Sequence, residues 1–230
     1  MIIPKVQCLK SCSPFKINTV TKRILFCILF FALIIPPFVF GQAADWLLPI
    51  SVEDRTTWQS VQFTHIGSYG LMRKARPGIP AHLHTGVDIK RPRPNYMDES
   101  ILPVAPGTVI SMRNDGPFAQ IIIEHTLPNG DSVWTVYEHI AGITVTVGDV
   151  VSPHKPIARF MNREELDRYG WQFDHVHFEV LKVSPRALRP TDKTPLRFFC
   201  TYSLQCYTES DLEHYYYDPI AFLEARWFER

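Results

Sequence analysis

His175-Val176-His177-Phe178-Glu179-Val180-Leu181 alternates polar and apolar side chains over its first six residues, and that pattern decides how the surrounding chain folds. Successive side chains of an extended strand point to opposite faces, so His175, His177 and Glu179 share one face and Val176, Phe178 and Val180 the other. The apolar face can enter a core while both imidazoles look into a groove.

Outward from this stretch the chain reads as mainly β. Short apolar or alternating runs at Leu102–Ala105, Thr108–Met112, Gln120–His125 and Ser132–Ile140 are separated by Asn114-Asp115-Gly116-Pro117, Pro128-Asn129-Gly130 and Gly148-Asp149, which are turn signals. Helix is scarce. Asn162–Tyr169 is one candidate, and Asp218 with Pro219 supplies an N-cap and first-turn proline for a last helix over Pro219–Trp227. There is no internal repeat, heptad run or low-complexity tract.

The amino terminus is a targeting segment rather than part of this fold. Lys5, Lys10, Lys16, Lys22 and Arg23 precede an apolar run from Ile24 to Phe40, and Gly41, Ala43 and Ala44 then offer small residues to a signal peptidase. Residues 1–43 are therefore expected to be a signal peptide or an uncleaved anchor, 44–62 an extended lead-in, and 63–230 one domain with a carboxy-terminal extension. Basic residues before the apolar run keep that end in the cytoplasm, so the remainder is expected to be exported, to a periplasm, cell envelope or medium.

Export changes two other readings. The segment 1–43 holds five of the 24 Lys+Arg and none of the 23 Asp+Glu, leaving 19 basic and 23 acidic residues, a net −4 instead of the formal +1. That balance argues against a nucleic-acid partner, and membrane contact is expected only through an uncleaved amino terminus. Cys8, Cys12 and Cys27 leave with the signal, so Cys200 and Cys206 are expected to form a local disulfide in an oxidising compartment.

Any single histidine among the nine is more often a hydrogen-bonded or surface residue than a ligand. Two tight clusters change that balance. In His84-Thr85-Gly86-Val87-Asp88, Gly86 and the β-branched Thr85 and Val87 disfavour helix, so a loop should enter a short strand with Asp88 turned to the groove and Val87 and Ile89 packed. Two imidazoles and a carboxylate from His84, Asp88, His175 and His177 can hold zinc and leave its fourth position open, the pattern of hydrolytic sites. Alternation along Val133–His139 places Tyr137 and His139 on a common face, which makes His139 a neighbour of that set. The chain contains no HExxH, so a general base would have to be histidine. His82 reads as exposed and His125 as structural or supporting. Glu179 is read first as a salt-bridged strand residue, with orientation of a histidine as the alternative, and Tyr215-Tyr216-Tyr217 as packing. Alternation does not rank His175 against His177.

His84-x-x-x-Asp88, Tyr137-Glu138-His139 and His175-Val176-His177-Phe178-Glu179, in this order and spacing, resemble the lysostaphin-type (M23, LytM-like) zinc metallopeptidases. The similarity runs from about Gly67 to Val180 and takes in Val104-Ala105-Pro106-Gly107-Thr108-Val109, Ile123-Glu124-His125 and Val147-Gly148-Asp149-Val150-Val151. Asp218-Pro219 with Phe222-Leu223 is similar to the family's closing segment. The resemblance implies a compact antiparallel β-sheet domain with a zinc-containing groove, and peptides of bacterial peptidoglycan as substrate. It also implies roles: His84, Asp88 and His177 bind one zinc ion per chain, while His139 and His175 are catalytic, one taking a proton from water and the other stabilising the oxyanion. Activity should then fall at acid pH as histidines protonate. A rival follows from the same family, because some members have lost zinc ligands and act by binding and regulating cell-wall amidases; retention of all five positions argues for the enzyme. Two stretches depart from the family pattern, Arg91–Ser100 and Asn162–Asp174, the second expected to be helical, and should form groove walls. Pro185–Asp211, with its cysteine pair, is a further extension expected to act as a stapled lid or docking surface.

Overall fold

The alternating stretch is a strand over His175–Leu181, and every residue of it is buried. It is the hub of the domain seen in the computed structural model, which describes residues 46–228; the expected signal segment and the start of the lead-in lie outside these residues. Strands β1 (Met72–Arg73), β2 (His82–Leu83), β3 (Val87–Lys90), β4 (Ser100–Ile101) and β5 (Gly107–Arg113) precede β6 (Gln120–Thr126), β7 (Ser132–Glu138), β8 (Ile140–Ala141), β9 (Val150–Val151) and β10 (Ala158–Phe160). Helix α1 (Arg163–Tyr169) leads to β11 (His175–Leu181), β12 (Arg186–Ala187) and β13 (Phe199–Cys200), then to α2 (Glu209–Tyr215), β14 (Tyr216–Tyr217) and α3 (Pro219–Phe228). The fold is mainly β, with antiparallel ladders and short helices. No helix among the described residues is long and apolar enough to cross a membrane.

The principal sheet runs β14-β11-β7-β6-β5-β9, and β3 pairs with the half of β11 that β14 leaves free. One face of this sheet meets the main core. Val176, Phe178 and Val180 pack there with Tyr137, Ile121, Ile123, Val87 and Ile89. The lead-in joins the same core through Trp46, Leu48 and Ile50, all buried, although it forms no regular element of its own. Its start is tied down by α3, where the Trp227 indole N–H donates to the Trp46 carbonyl at 2.9 Å.

The opposite face is divided. Near the start of β11 it carries His175 and His177; at the other end Leu181 joins Ile122, Trp134 and Val136 in a second core, covered by Cys206, Leu212 and Tyr216. Cys206 of the carboxy-terminal extension, with Leu212 and Tyr216 just after it, covers this half-face. Cys200 and Cys206 are free thiols, in contrast to the expected disulfide. The Arg186 guanidinium donates to the Cys200 sulfur, whereas Cys206 donates to the Tyr202 carbonyl, so the two sulfurs serve different neighbours.

Two helix starts follow their capping signals. Asn162 caps α1 with a full capping box to Glu165, and Asp218 accepts the Ile220 amide at the start of α3. Helix α2 was not anticipated, although Thr208-Glu209-Ser210-Asp211 carries the corresponding box, with Asp211 in place of the usual Glu or Gln. Leu102–Ala105 is not a strand; it is an irregular connection between β4 and β5 whose Val104 amide donates to the Tyr137 hydroxyl at 2.9 Å.

His82, expected at the surface, is buried with Nδ1 2.8 Å from the Pro80 carbonyl. His125 lies on the core side. Its Nδ1 is 2.8 Å from the Pro106 carbonyl and its Nε2 2.7 Å from the Thr135 hydroxyl. Burial pushes its pKa down to about 4. A histidine depressed in the native state takes up its proton first in the unfolded chain, so its contribution to stability is present above roughly pH 6.5 and is lost as pH falls toward 4. Denaturation of the metal-free protein at pH 7 and pH 4.5 should show a drop that is smaller by about 2 kcal/mol in His125→Gln than in the wild type. An equal drop in both would show that His125 does not supply this acid sensitivity.

Candidate metal centre

Strand β11 is paired on both sides at its site end: His177 faces Asp88 of β3 across one ladder and Glu138 of β7 across the other. The loop 84–86 must approach β11 closely to deliver β3. A Cβ on Gly86 would sit 2.2 Å from the Phe178 carbonyl oxygen, so only glycine permits that approach. His84 arrives from the β1–β2 ribbon, its backbone N–H donating to Leu71 and its carbonyl accepting from Gly70.

Three donor atoms converge. His84 Nε2 lies 3.0 Å from His177 Nδ1 and 3.0 Å from Asp88 Oδ1, and His177 Nδ1 lies 2.9 Å from the same Oδ1. The circle through such a triangle has a radius of roughly 1.7 Å, close to the roughly 2.0–2.2 Å of zinc–nitrogen and zinc–oxygen bonds, so the spacing of the three donors fits such an ion. The far atom of each ring is already engaged: His84 Nδ1 is 2.9 Å from the Ser68 carbonyl and His177 Nε2 is 3.0 Å from Glu179 Oε1. With the far ring atoms so engaged, His84 Nε2 and His177 Nδ1 are the nitrogens turned to the centre. Glu179 therefore orients a histidine, and the Thr85 hydroxyl donates to the same carboxylate. All three donor residues are buried.

His139 reaches this centre by a route the alternation did not foresee. Tyr137 points into the main core, 5.4 Å from the Phe178 ring, so a regular strand would have carried His139 to the core side too. Instead β7 ends at Glu138, and His139 adopts a φ of 63°, the only left-handed residue other than glycine among the described residues. That turn brings its ring to 4.9 Å from the His175 ring and 6.2 Å from the His177 ring. Its Nδ1 is 2.6 Å from the Pro117 carbonyl, which leaves Nε2 as the acceptor. Phe173 packs on it at 4.9 Å. His175 keeps apart from the donor triangle, its Nε2 3.6 Å from Asp88 Oδ1.

The four histidines do not titrate alike. Burial lowers His84, His175 and His139, the last two to about 4 and about 3. Burial also opposes charge on His177, but hydrogen bonds to Asp88 and Glu179 outweigh it and push it up to about 10. Burial would raise Asp88, yet hydrogen bonds from His177 and His84 hold its carboxyl well below the usual range. Burial raises Glu138, whose carboxylate accepts from Gln120 beside His177. Sequence reasoning missed Arg73, whose guanidinium lies 2.7 Å from Asp88 Oδ2.

A groove of about 580 Å³ beside Asp88 and His175 is lined by Arg93, Pro94 and Tyr96 and by Trp171 and Gln172. These are the two stretches expected to wall it. Arg91 ties them together: its Nε donates to Asp174 at 2.8 Å and its guanidinium stacks 4.6 Å above Tyr96.

Against known proteins, the sequence profile described as peptidase family M23 matches residues 82–190, which contain all five site residues. Residues 82–190 belong to peptidase family M23. Among solved structures, the M23 domain is similar to a zinc-containing peptidase from Vibrio cholerae, at 23% identity over 60% of this chain and 36% of that one, with a TM-score of 0.41. It is also similar to lysostaphin (17% identity, 74% and 54% of the two chains, TM-score 0.44) and to a mutant catalytic domain of the prophage-encoded M23 protein EnpA from Enterococcus faecalis (22%, 60% and 88%, TM-score 0.38). The chain thus spans about a third and about half of the first two. No curated protein matches it.

Gly86 gives the centre its sharpest test. Gly86→Ala should destabilise the fold by about 1–3 kcal/mol or more and remove stoichiometric binding of a divalent metal, because the added methyl must push the ligand loop off β11. Calorimetric melting and metal titration of the variant check this; unchanged melting would contradict the tight approach.

Proposed function

We propose that this protein is a zinc-dependent endopeptidase that hydrolyses cross-linking or stem peptides of bacterial peptidoglycan. The observation that carries this reading is the triangle of His84 Nε2, Asp88 Oδ1 and His177 Nδ1 at 2.9–3.0 Å, with two further histidine rings beside it. His84, Asp88 and His177 hold one zinc ion per chain, a set of borderline nitrogen donors and one oxygen that suits zinc. Zinc, when bound, supplies Lewis acidity, making water acidic near neutral pH and polarising a carbonyl. The chain supplies the rest. His139, with Nδ1 committed to Pro117, offers Nε2 to accept a proton, and His175 across from it offers a ring N–H to a developing oxyanion; the reverse division of labour uses the same two rings. Burial keeps both neutral at neutral pH.

The groove leading from Asp88 and His175 takes the extended peptide, its apolar wall at Tyr96 and Trp171 contacting side chains and its open end admitting a polymer. The peptide is met outside the cytoplasm, because the basic, apolar and small-residue order of 1–43 directs export, by a cleaved signal or an anchor.

Mass spectrometry of muropeptides released from defined peptidoglycans, with and without a chelator, tests the activity. His139→Ala and His175→Ala should each retain zinc yet lose roughly 100- to 10,000-fold in kcat/KM. His177→Ala should lose both, and a biological effect undiminished in His177→Ala would point to an amidase-binding module instead. Because the depressed histidines accept a proton only at about 3 and about 4, the acid limb of kcat/KM at saturating zinc should lie below the ordinary histidine value of roughly 6.5. A limb at or above that value would remove these rings from the role of base.

A further inference from the structure

We propose that Arg73 is a positioning residue for the metal centre, holding Oδ2 of Asp88 so that Oδ1 alone is presented between His84 and His177. The inference rests on the metal-centre reading above and adds a residue that the family match does not itself include, since Arg73 lies before residue 82. Asp88 has two equivalent oxygens, and the structure treats them differently. Oδ1 is the corner of the donor triangle, within 3.0 Å of both ring nitrogens, whereas Oδ2 lies 2.7 Å from the Arg73 guanidinium. Rotating the carboxylate to offer both oxygens to one ion would break the arginine contact.

Ion pairs on open surfaces contribute little, but this one is not open: the side chains of Arg73 and Asp88 are 17% and 6% exposed. At 2.7 Å the contact falls in the range of a strong charge-assisted hydrogen bond. The backbone explains how the arginine comes to be there. Arg73 ends β1 and pairs with His82 of β2, while the residue two before it, Leu71, accepts the His84 amide. One ribbon therefore delivers both a ligand and the clamp on the neighbouring ligand. A single oxygen from Asp88 keeps the protein donors at three, which is the condition for an open position on the ion.

The plainer alternative is that Arg73 only pins the ribbon to β3, and a metal-affinity cycle separates the two. Zinc dissociation constants would be measured by chelator competition on the full-length protein, for the wild type, Arg73→Met, Arg73→Lys, Asp88→Asn and the Arg73→Met/Asp88→Asn pair, with melting of each metal-free protein as the fold control. Arg73→Met should bind zinc at least about tenfold more weakly than the wild type, Arg73→Lys should recover part of that loss, and Arg73→Met should add nothing once Asp88→Asn is present. Affinity of Arg73→Met within twofold of the wild type, or the same loss with and without Asp88→Asn, overturns the proposal. If Arg73→Met does not fold, Arg73→Lys carries the comparison, and affinity equal to the wild type overturns it there. Failure of the wild type itself to bind zinc would be a failure of the metal-centre reading and is seen in the first measurement.

Discussion

The double pairing of β11 is the constraint on which the rest depends. With β3 on one side and β7 on the other, His177 is fixed between Asp88 and Glu138 by two backbone ladders. A slip of one residue in either ladder would send His177 to the core and Phe178 to the groove, so the packing of Val176, Phe178 and Val180 enforces the placement of the ligand. The site is precise because the core is. Gly86 shows the same coupling from the other partner, since the loop bearing His84 can lie against the Phe178 carbonyl only without a side chain.

Electrostatics then divide four neighbouring histidines into two kinds. His177 sits between two carboxylates, Asp88 and Glu179, and its hydrogen bonds to them push its pKa up against the effect of burial. Two carboxylates within hydrogen-bonding distance of one ring favour positive charge at the triangle, the condition under which His84, Asp88 and His177 would hold a cation. His139 and His175 face no carboxylate at hydrogen-bonding distance and remain neutral, the state a base requires. The difference is set by acceptors one bond away, not by depth, because all of these rings are largely removed from water.

The sequence made the main features legible where a rule of period two or of capping applied. The strand at His175–Leu181, the turn of Asp88 toward the groove and the ends of α1 and α3 all follow from local pattern. What was not legible depended on a single backbone angle or on distant chain. His139 is at the site because the alternation breaks at its φ of 63°, and the reading that put it beside Tyr137 reached the right neighbour through the wrong face. Arg73 carries no motif and enters through the β1–β2 ribbon. The cysteine pair invited a disulfide from compartment alone, whereas the Cys200 sulfur accepts from Arg186 and Cys206 donates to the Tyr202 carbonyl.

That second core also gives the groove its direction. Along the site face of β11 the order is His175, His177, Glu179, Leu181, and beyond Glu179 the face is closed by Cys206 of the extension, Leu212 of α2 and Tyr216 of β14. The closed end protects the Glu179 contact that orients His177, keeping water from competing for it. At the other end of the face, past His175, the Tyr96 and Trp171 rings meet edge to face with centroids 5.6 Å apart, and Arg163 stacks on both. The donor triangle is held by the sheet and the groove beside it is walled by these loops, so the two can change independently: replacing the aromatic wall alters the groove without moving His84, Asp88 or His177.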